Sequence, residues 1–279
     1  MADEFRVEFH DDPQQVLAIA ADFLASEPVR HNLVHTLLRR VARTGDEGRY
    51  WVAHGGTGVV GITFQSPLRF FATLTPMPQA AVVATVERVA ADAVALPGIH
   101  GEVGGSSVFA GRWTECTRSA ARPAEAMRLY EVEEVTVPTA PGSVRPATDA
   151  DRDLAAGWLQ AFEAEIREPT GDAEVVAFRR IAAGELWIHD DRGPVSITGV
   201  TAPTAGAVRV GPVYTPPERR GRGYASALVA ERAAVARAEG LRCLLYTQLA
   251  NPTSNAIYRA IGFAPVAELM RYEFDAPRA

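Results

Sequence analysis

The chain repeats itself, and that repeat limits its fold more than any other feature. Val7 and Leu17 in VEFHDDPQQVL align with Val144 and Leu154 in VRPATDADRDL, both at a spacing of 137. YWVAHGGTGVVGIT from Tyr50 aligns with LWIHDDRGPVSIT from Leu186, with Trp51 against Trp187. Thr75-Pro76 then aligns with Thr215-Pro216, and MRLYEV from Met127 with MRYEF from Met270. Matches that keep both order and offset mark two copies of one structural plan. The stretch VPTAPGS, Val137 to Ser143, is a Pro/Gly/Ser linker by composition. The expected organisation is therefore a first copy over 1–136, a linker over 137–143 and a second copy over 144–279. A length of 279 residues suits two domains of ordinary size, each able to bury its own core.

Each copy reads as a strand, a helix, a two-stranded hairpin with a Gly-bearing turn, a further strand, a helix, a strand and a closing strand. The first helix spans Gln14 to Leu24 in one copy and Asp149 to Glu165 in the other, with Asp149 as its cap. The fold class is α/β (mixed α+β): two tandem domains, each a central mixed, mainly antiparallel sheet flanked by helices.

Composition removes several functions. The 28 basic residues are all Arg, so pyridoxal or aldolase Schiff bases, Ser-Lys dyads and a Walker A loop are excluded. A formal net charge of −6 argues against a nucleic-acid partner. Cys116 and Cys243 form no CxxC pair, so no structural zinc site and no metal is expected. Two unpatterned cysteines and the acidic start MADEFR fit a cytoplasmic location. The uncharged run Phe70 to Val86 is broken by Pro76 and Pro78, so no membrane association is expected.

The chemistry concentrates in the second copy. Val208 to Thr215 reads as a strand ended by Pro216-Pro217. The turn Arg220-Gly221-Arg222-Gly223-Tyr224-Ala225 follows, then a helix to Glu239 closed by Gly240. Strand, glycine turn and helix together offer free N–H groups and a positive helix end to an anion. Arg219, Arg220 and Arg222 add charge suited to phosphate, so the stretch reads as a pyrophosphate site. Beyond the strand Leu244 to Thr247, Asn251 caps a short helix with Pro252 in its first turn. Asn255 and Tyr258 lie three apart on one side of that helix, which ends at Gly262-Phe263.

These residues resemble the GCN5-related N-acetyltransferase (GNAT) superfamily. Arg220, Gly223 and Ala225 fit the [Q/R]-x-x-G-x-[G/A] hallmark. Asn251, Tyr258, Gly262 and Phe263 fit a second hallmark. The resemblance covers about 144–274. It implies acetyl-CoA as co-substrate, with pantetheine along the backbone of Val213, Tyr214 and Thr215. It also implies pyrophosphate on the turn from Gly221 through Arg222, Gly223, Tyr224 and Ala225 to Ser226. Asn251 and Asn255 would line the pantetheine arm. The implied reaction is direct acetyl transfer to an amine of a small-molecule or peptide acceptor, with Tyr258 protonating the leaving thiolate.

Some relatives carry a Glu on the fourth or fifth strand, but VRVGPVY and LLYTQL hold no carboxylate. Glu163, Glu165 and Glu168 stand as base candidates beside a water chain or a neutral acceptor. Transfer to a hydroxyl, a longer acyl-CoA, or a non-catalytic acyl-CoA sensor or scaffold are the alternatives. A homodimer is open by analogy alone.

Other signals reduce to structure. Gly56-Thr57-Gly58-Val59-Val60-Gly61 matches GxGxxG, but a β-like run follows it, so it reads as a hairpin. His31 and His35 in HNLVH lack the intervening Glu of a zinc protease and read as a helix face. Asp190-Asp191 reads as a polar turn. The first copy has LTPMPQAAVVATVERV where the second has its Gly/Arg turn. It is expected to be degenerate, without cofactor binding, covering the catalytic half and shaping the acceptor pocket. The mycothiol synthases show such a tandem arrangement, though no specific motif ties this chain to their substrate.

Overall fold

The computed structural model describes residues 5–166 and 171–275. The first run of elements is β1 (Arg6–His10), α1 (Pro13–Ile19), α2 (Ala21–Ser26), α3 (Asn32–Thr44), β2 (Arg49–Gly55), β3 (Gly58–Gln65), β4 (Ala72–Leu74), α4 (Gln79–Ala91), β5 (Gly98–Glu102), α5 (Val103–Thr117) and β6 (Ala121–Val132). The second run is β7 (Ser143–Pro146), a 3-10 turn (Asp149–Asp151), α6 (Arg152–Ile166), α7 (Ala173–Ala182), β8 (Leu186–Asp190), β9 (Pro194–Val200), β10 (Ala207–Tyr214), α8 (Tyr224–Ala238), β11 (Arg242–Gln248), α9 (Pro252–Ile261) and β12 (Phe263–Phe274). The runs follow the same order from hairpin to closing strand, as the repeat requires. Among the described residues no helix is long and apolar enough to cross a membrane.

The chain divides into two compact units, and the division is not a simple cut. Unit 1 takes Met1–Leu129, Gln248–Ala250 and Pro265–Ala279; unit 2 takes Tyr130–Thr247 and Asn251–Ala264. Unit 1 has strand order β1-β2-β3-β4-β5-β12-β6, so the last strand of the chain is seated inside the sheet of the first unit. β12 pairs antiparallel with β5, from Leu269↔Glu102 to Glu273↔Gly98. Unit 2 runs β7-β8-β9-β10-β11, with the end of β6 beside β11. In both sheets the fourth and fifth strands are parallel: β4 with β5, and β10 with β11. The pairs β1–β2, β2–β3, β7–β8 and β8–β9 are antiparallel.

Alternation along the strands places a core on each face. In β2, Tyr50 and Val52 join Val16, Leu24 and Leu38 on the α1–α3 side. Trp51 between them joins Val82, Val86, Ile99 and Phe109 on the α4–α5 side. In unit 2, Val208, Val210 and Leu245 pack with Val229 and Ala233 of α8 and with Tyr258 and Ile261 of α9. Leu186, Ile188, Ile197 and Tyr214 pack with Leu159 of α6 and Ala177 of α7 on the other side.

Local chemistry corrects some expected boundaries. The helix expected over Gln14 to Leu24 breaks at Ala20, and Asp12 caps its first part by accepting from the Gln14 N–H at 2.8 Å. Asp149 is not the cap of the second copy's first helix. Thr148 and Asp151 form a reciprocal capping box there, and the first turn is 3-10. Arg145 holds Asp151 through two hydrogen bonds of 2.8 and 2.9 Å, which lower the Asp151 carboxyl to about 2. The hairpins at 55–58 and 190–194 form as read, with Gly55↔Gly58 and Asp190↔Pro194 in register.

α9 ends at Gly262 with φ +113, and a Cβ there would collide with the Glu134 carbonyl oxygen. Both backbone and space demand glycine. Gly262→Ala should therefore destabilise the fold by roughly 1–3 kcal/mol, read as a lowered midpoint in chemical denaturation.

Candidate active site

β10 lies between β9 and β11. Against β9 it pairs at Val210↔Val200 and then, past a bulge, at Val213↔Thr198 and Tyr214↔Ile197. Against β11 it pairs over Ala207↔Arg242, Val208↔Cys243 and Arg209↔Leu244. The ladder with β11 ends there, although β10 continues to Tyr214 and β11 to Gln248. The bulge contains Gly211 at φ +139 and Pro212, which has no N–H to give. The bulge lies just past the last β10–β11 pair, and beyond it the edge of β10 toward β11 is a seam without ladder pairs beside Val213 and Tyr214.

β10 leads into a glycine-bearing turn at the start of α8. Gly221 and Gly223 both hold left-handed conformations, at φ +75 and +79. No atom lies within 4 Å of a Cβ built on Gly221, so backbone conformation, not crowding, selects glycine. Gly223 is the N-cap of α8 and makes no side-chain cap. The first N–H groups of α8, from Tyr224, Ala225 and Ser226, have no acceptor within the helix.

Side chains brace this turn from below. Arg220 donates from Nε to the Thr215 carbonyl at 2.8 Å and from Nη2 to Glu165 at 2.5 Å. Its guanidinium lies 5.8 Å from the centre of the Tyr214 ring. Ser196 donates to the Tyr214 carbonyl at 3.0 Å and shares a 2.8 Å hydrogen bond with the Thr215 hydroxyl. The buried Tyr224 donates to Asp191 at 2.5 Å and packs against His189, pinning the start of α8 to the β8–β9 turn. Arg220 thus shapes the loop, while Arg219 and Arg222 are exposed beside it.

On α9, Asn251 caps the helix by accepting from the Ser254 N–H at 3.0 Å. Asn255 is buried; it donates to the Asn251 carbonyl at 2.7 Å and accepts from Tyr130 at 2.8 Å. Tyr258 is buried in the cluster that holds Val210 and Leu245, with Val213 packed against it. Its ring meets Phe263 edge-on at 6.0 Å. Burial pushes the Tyr258 phenol up to about 12, with a hydrogen bond to Ser254 working in the other direction. The group therefore keeps its proton throughout the neutral range.

The expected residues thus fall into two sets. Val213 to Ser226 form one continuous strand, turn and helix start, and Asn251, Asn255 and Tyr258 line up on α9. Tyr258 belongs to a buried cluster against which the partly buried Val213 packs. Of the base candidates, Glu165 is paired with Arg220, Glu163 is half-buried on α6, and Glu168 lies outside the described residues. Asp191, Ser196 and Tyr130 were not anticipated. Each acts through a contact distant in sequence that no local pattern reveals.

The corresponding part of unit 1 is built differently. After β4, the Thr75 hydroxyl accepts from the Ile62 N–H at 2.8 Å, and the Thr75 N–H donates to the Ile62 carbonyl at 2.9 Å. Met77 packs on Gly61, and Pro78 caps α4 at φ −56 without a glycine turn.

Residues 152–263 match the family model described as Acetyltransferase (GNAT) family. Solved structures share the fold along nearly the whole chain. An acetyltransferase from Colwellia psychrerythraea is 11% identical, with 97% of this chain and 100% of that one covered at a TM-score of 0.61. A GCN5-related N-acetyltransferase from Sphaerobacter thermophilus is 16% identical, with 98% and 96% covered at 0.61. A tandem GNAT protein from the clavulanic acid biosynthesis pathway is 14% identical, with 98% and 99% covered at 0.60. No curated protein matches the sequence significantly.

Because Arg220 is half-exposed, Arg220→Ala should change global stability by no more than about 1 kcal/mol. Amide exchange over 215–226 should nevertheless accelerate, since both tethers of the loop are lost. Hydrogen exchange with mass spectrometry reads both effects.

Proposed function

We propose, for a chain whose residues 152–263 carry an acetyltransferase domain of the GNAT family, that this domain is an acetyl-CoA-dependent N-acetyltransferase. It would pass acetyl directly to a primary amine of a small-molecule or peptide acceptor. The observation that carries this reading is the ladder between β10 and β11, which stops at Arg209↔Leu244 and leads into an uncapped helix start behind two left-handed glycines.

The residues suit the group. Backbone along Val213, Tyr214 and Thr215 would hold the pantetheine as a neighbouring strand would. The N–H groups from Gly221 to Ser226 would hold the pyrophosphate, with Arg219 and Arg222 close by. Bound acetyl-CoA supplies an activated acyl carbon. Tyr258, protonated and buried, would deliver a proton to the departing sulfur. With Glu165 already paired to Arg220, Glu163, water or a neutral acceptor would account for the acceptor's proton. The first copy, to about residue 136, would be a degenerate relative with a structural role, since Met77 and Pro78 stand where the second copy has its glycine turn.

Thermal unfolding with acetyl-CoA tests the cofactor assignment. At about 100 times Kd, a ligand adds roughly 2.7 kcal/mol, which at about 2–4 °C per kcal/mol is a clear rise in Tm. Wild type should rise and Gly223→Glu should not; no rise in either at millimolar acetyl-CoA would sink the reading. Thiol release in an amine screen tests the chemistry. Tyr258→Phe should lower kcat about 10²–10⁴-fold while keeping the acetyl-CoA shift. Because its phenol is pushed up to about 12, the wild-type rate should show no descending limb from Tyr258 near pH 10, where an ordinary phenol ionises.

A further inference from the structure

Arg180, in the last turn of α7, reaches over the sheet of unit 2 to the bulge of β10. It donates from Nη1 to the Gly211 carbonyl at 3.4 Å. On the way its guanidinium lies over the backbone of Gly199 in β9. Any Cβ at Gly199 would collide with that guanidinium and with the Gly211 oxygen. Gly199 holds no left-handed φ, so room for the guanidinium, not conformation, selects glycine there.

Packing shows which face of the sheet this is. Ile197 packs with α6 and α7, while Val200 packs on the α8–α9 cluster, so Gly199 faces α6 and α7. Val208 and Val210 also pack against α8, so Arg209 between them points to the same face as Arg180. A second arginine thus stands on this face just ahead of the bulge, and both side chains are partly buried. Positive charge drawn partly out of water attracts an anion more strongly than charge in full solvent.

With pantetheine along Val213 to Thr215 and pyrophosphate on the turn after them, the acyl end points back toward Gly211. On the α8–α9 face the space beside it is filled by the cluster that buries Tyr258. The acceptor then arrives from the α6–α7 face, past Arg180. We propose that the acceptor is an amino acid, a primary amine that also carries a carboxylate, and that Arg180 holds this carboxylate while Arg209 adds charge. A guanidinium presents its N–H donors as a planar fork that matches a carboxylate. The acceptor nitrogen bonds to the acyl carbon and gives up a proton, the carbon–sulfur bond breaks, and the sulfur takes a proton up. The carboxylate only orients the amine. This assignment rests on the acetyl-transfer reading.

Thiol release from acetyl-CoA tests it on a panel of L-α-amino acids, β-alanine and 4-aminobutanoate, each beside its carboxamide. The amine of an amide loses its proton more readily, so a preference for the acid cannot come from reactivity. At least one acid should be turned over with kcat/KM about tenfold or more above its amide. Arg180→Gln should lower kcat/KM for that acid about 10–100-fold, mainly through KM, because the carboxylate is held alike before and during transfer. The acid-to-amide ratio should fall toward unity, and Arg180→Lys should retain part of it. Arg180→Gln should keep the rise in Tm with acetyl-CoA; a variant that loses it makes Arg180 a structural residue and overturns the assignment. If wild type shows that rise, the assignment alone is overturned by acids and amides turned over alike, by no acid turned over, or by an unchanged ratio in Arg180→Gln. No rise in wild type overturns the transfer reading and this assignment together.

Discussion

Three backbone pairs between β10 and β11 govern the candidate site. They hold the strands together from Ala207 to Arg209, and their ending at Leu244 is what makes a seam. The alternative, a full parallel ladder, would pair Val213 and Tyr214 with β11 on that edge. Gly211 and Pro212 prevent that, one by its φ and the other by its missing N–H. The strand keeps its other edge, because β9 resumes pairing at Val213↔Thr198. The seam therefore comes from one strand being loyal to one neighbour and not to the other.

The two units show what such a device requires beyond its fold. Both have parallel fourth and fifth strands followed by a helix. In unit 2 the strand-to-helix connection is long, glycine-bearing and tied down by Arg220, Ser196 and Tyr224. In unit 1 it is short, and Thr75 and Met77 fold it back onto β3. The same architecture thus accommodates a long glycine turn or a short packed corner, and a handful of side chains decides which.

Much of this was legible in the sequence because its signals are local. The glycine turn, the Asn251-Pro252 start of α9 and the Gly262 stop each depend on neighbours a few residues away. The two-copy plan was legible because repeated patterns keep their order. Long-range commitments were not. Nothing near Asn255 indicates that its amide would be met by Tyr130, and nothing near Tyr224 indicates Asp191. The start of α3 was read as a helix face at His31 and His35, but its extent to Thr44 was not, and α7 was not read although Asp172 caps it. The place of the last strand was hidden for a more specific reason: MRLYEV and MRYEF are so alike that either could close either sheet. Similarity that reveals a repeat also conceals which copy a strand serves.

That placement has a consequence during synthesis. β12 belongs to the sheet of unit 1, between β5 and β6, yet it is made after all of unit 2. A chain emerging from the ribosome must hold the first unit's sheet incomplete, with the edge of β5 unprotected, until β12 has been made. Folding of the first unit is thus timed by completion of the second, and loss of residues 263–274 would damage the unit made first.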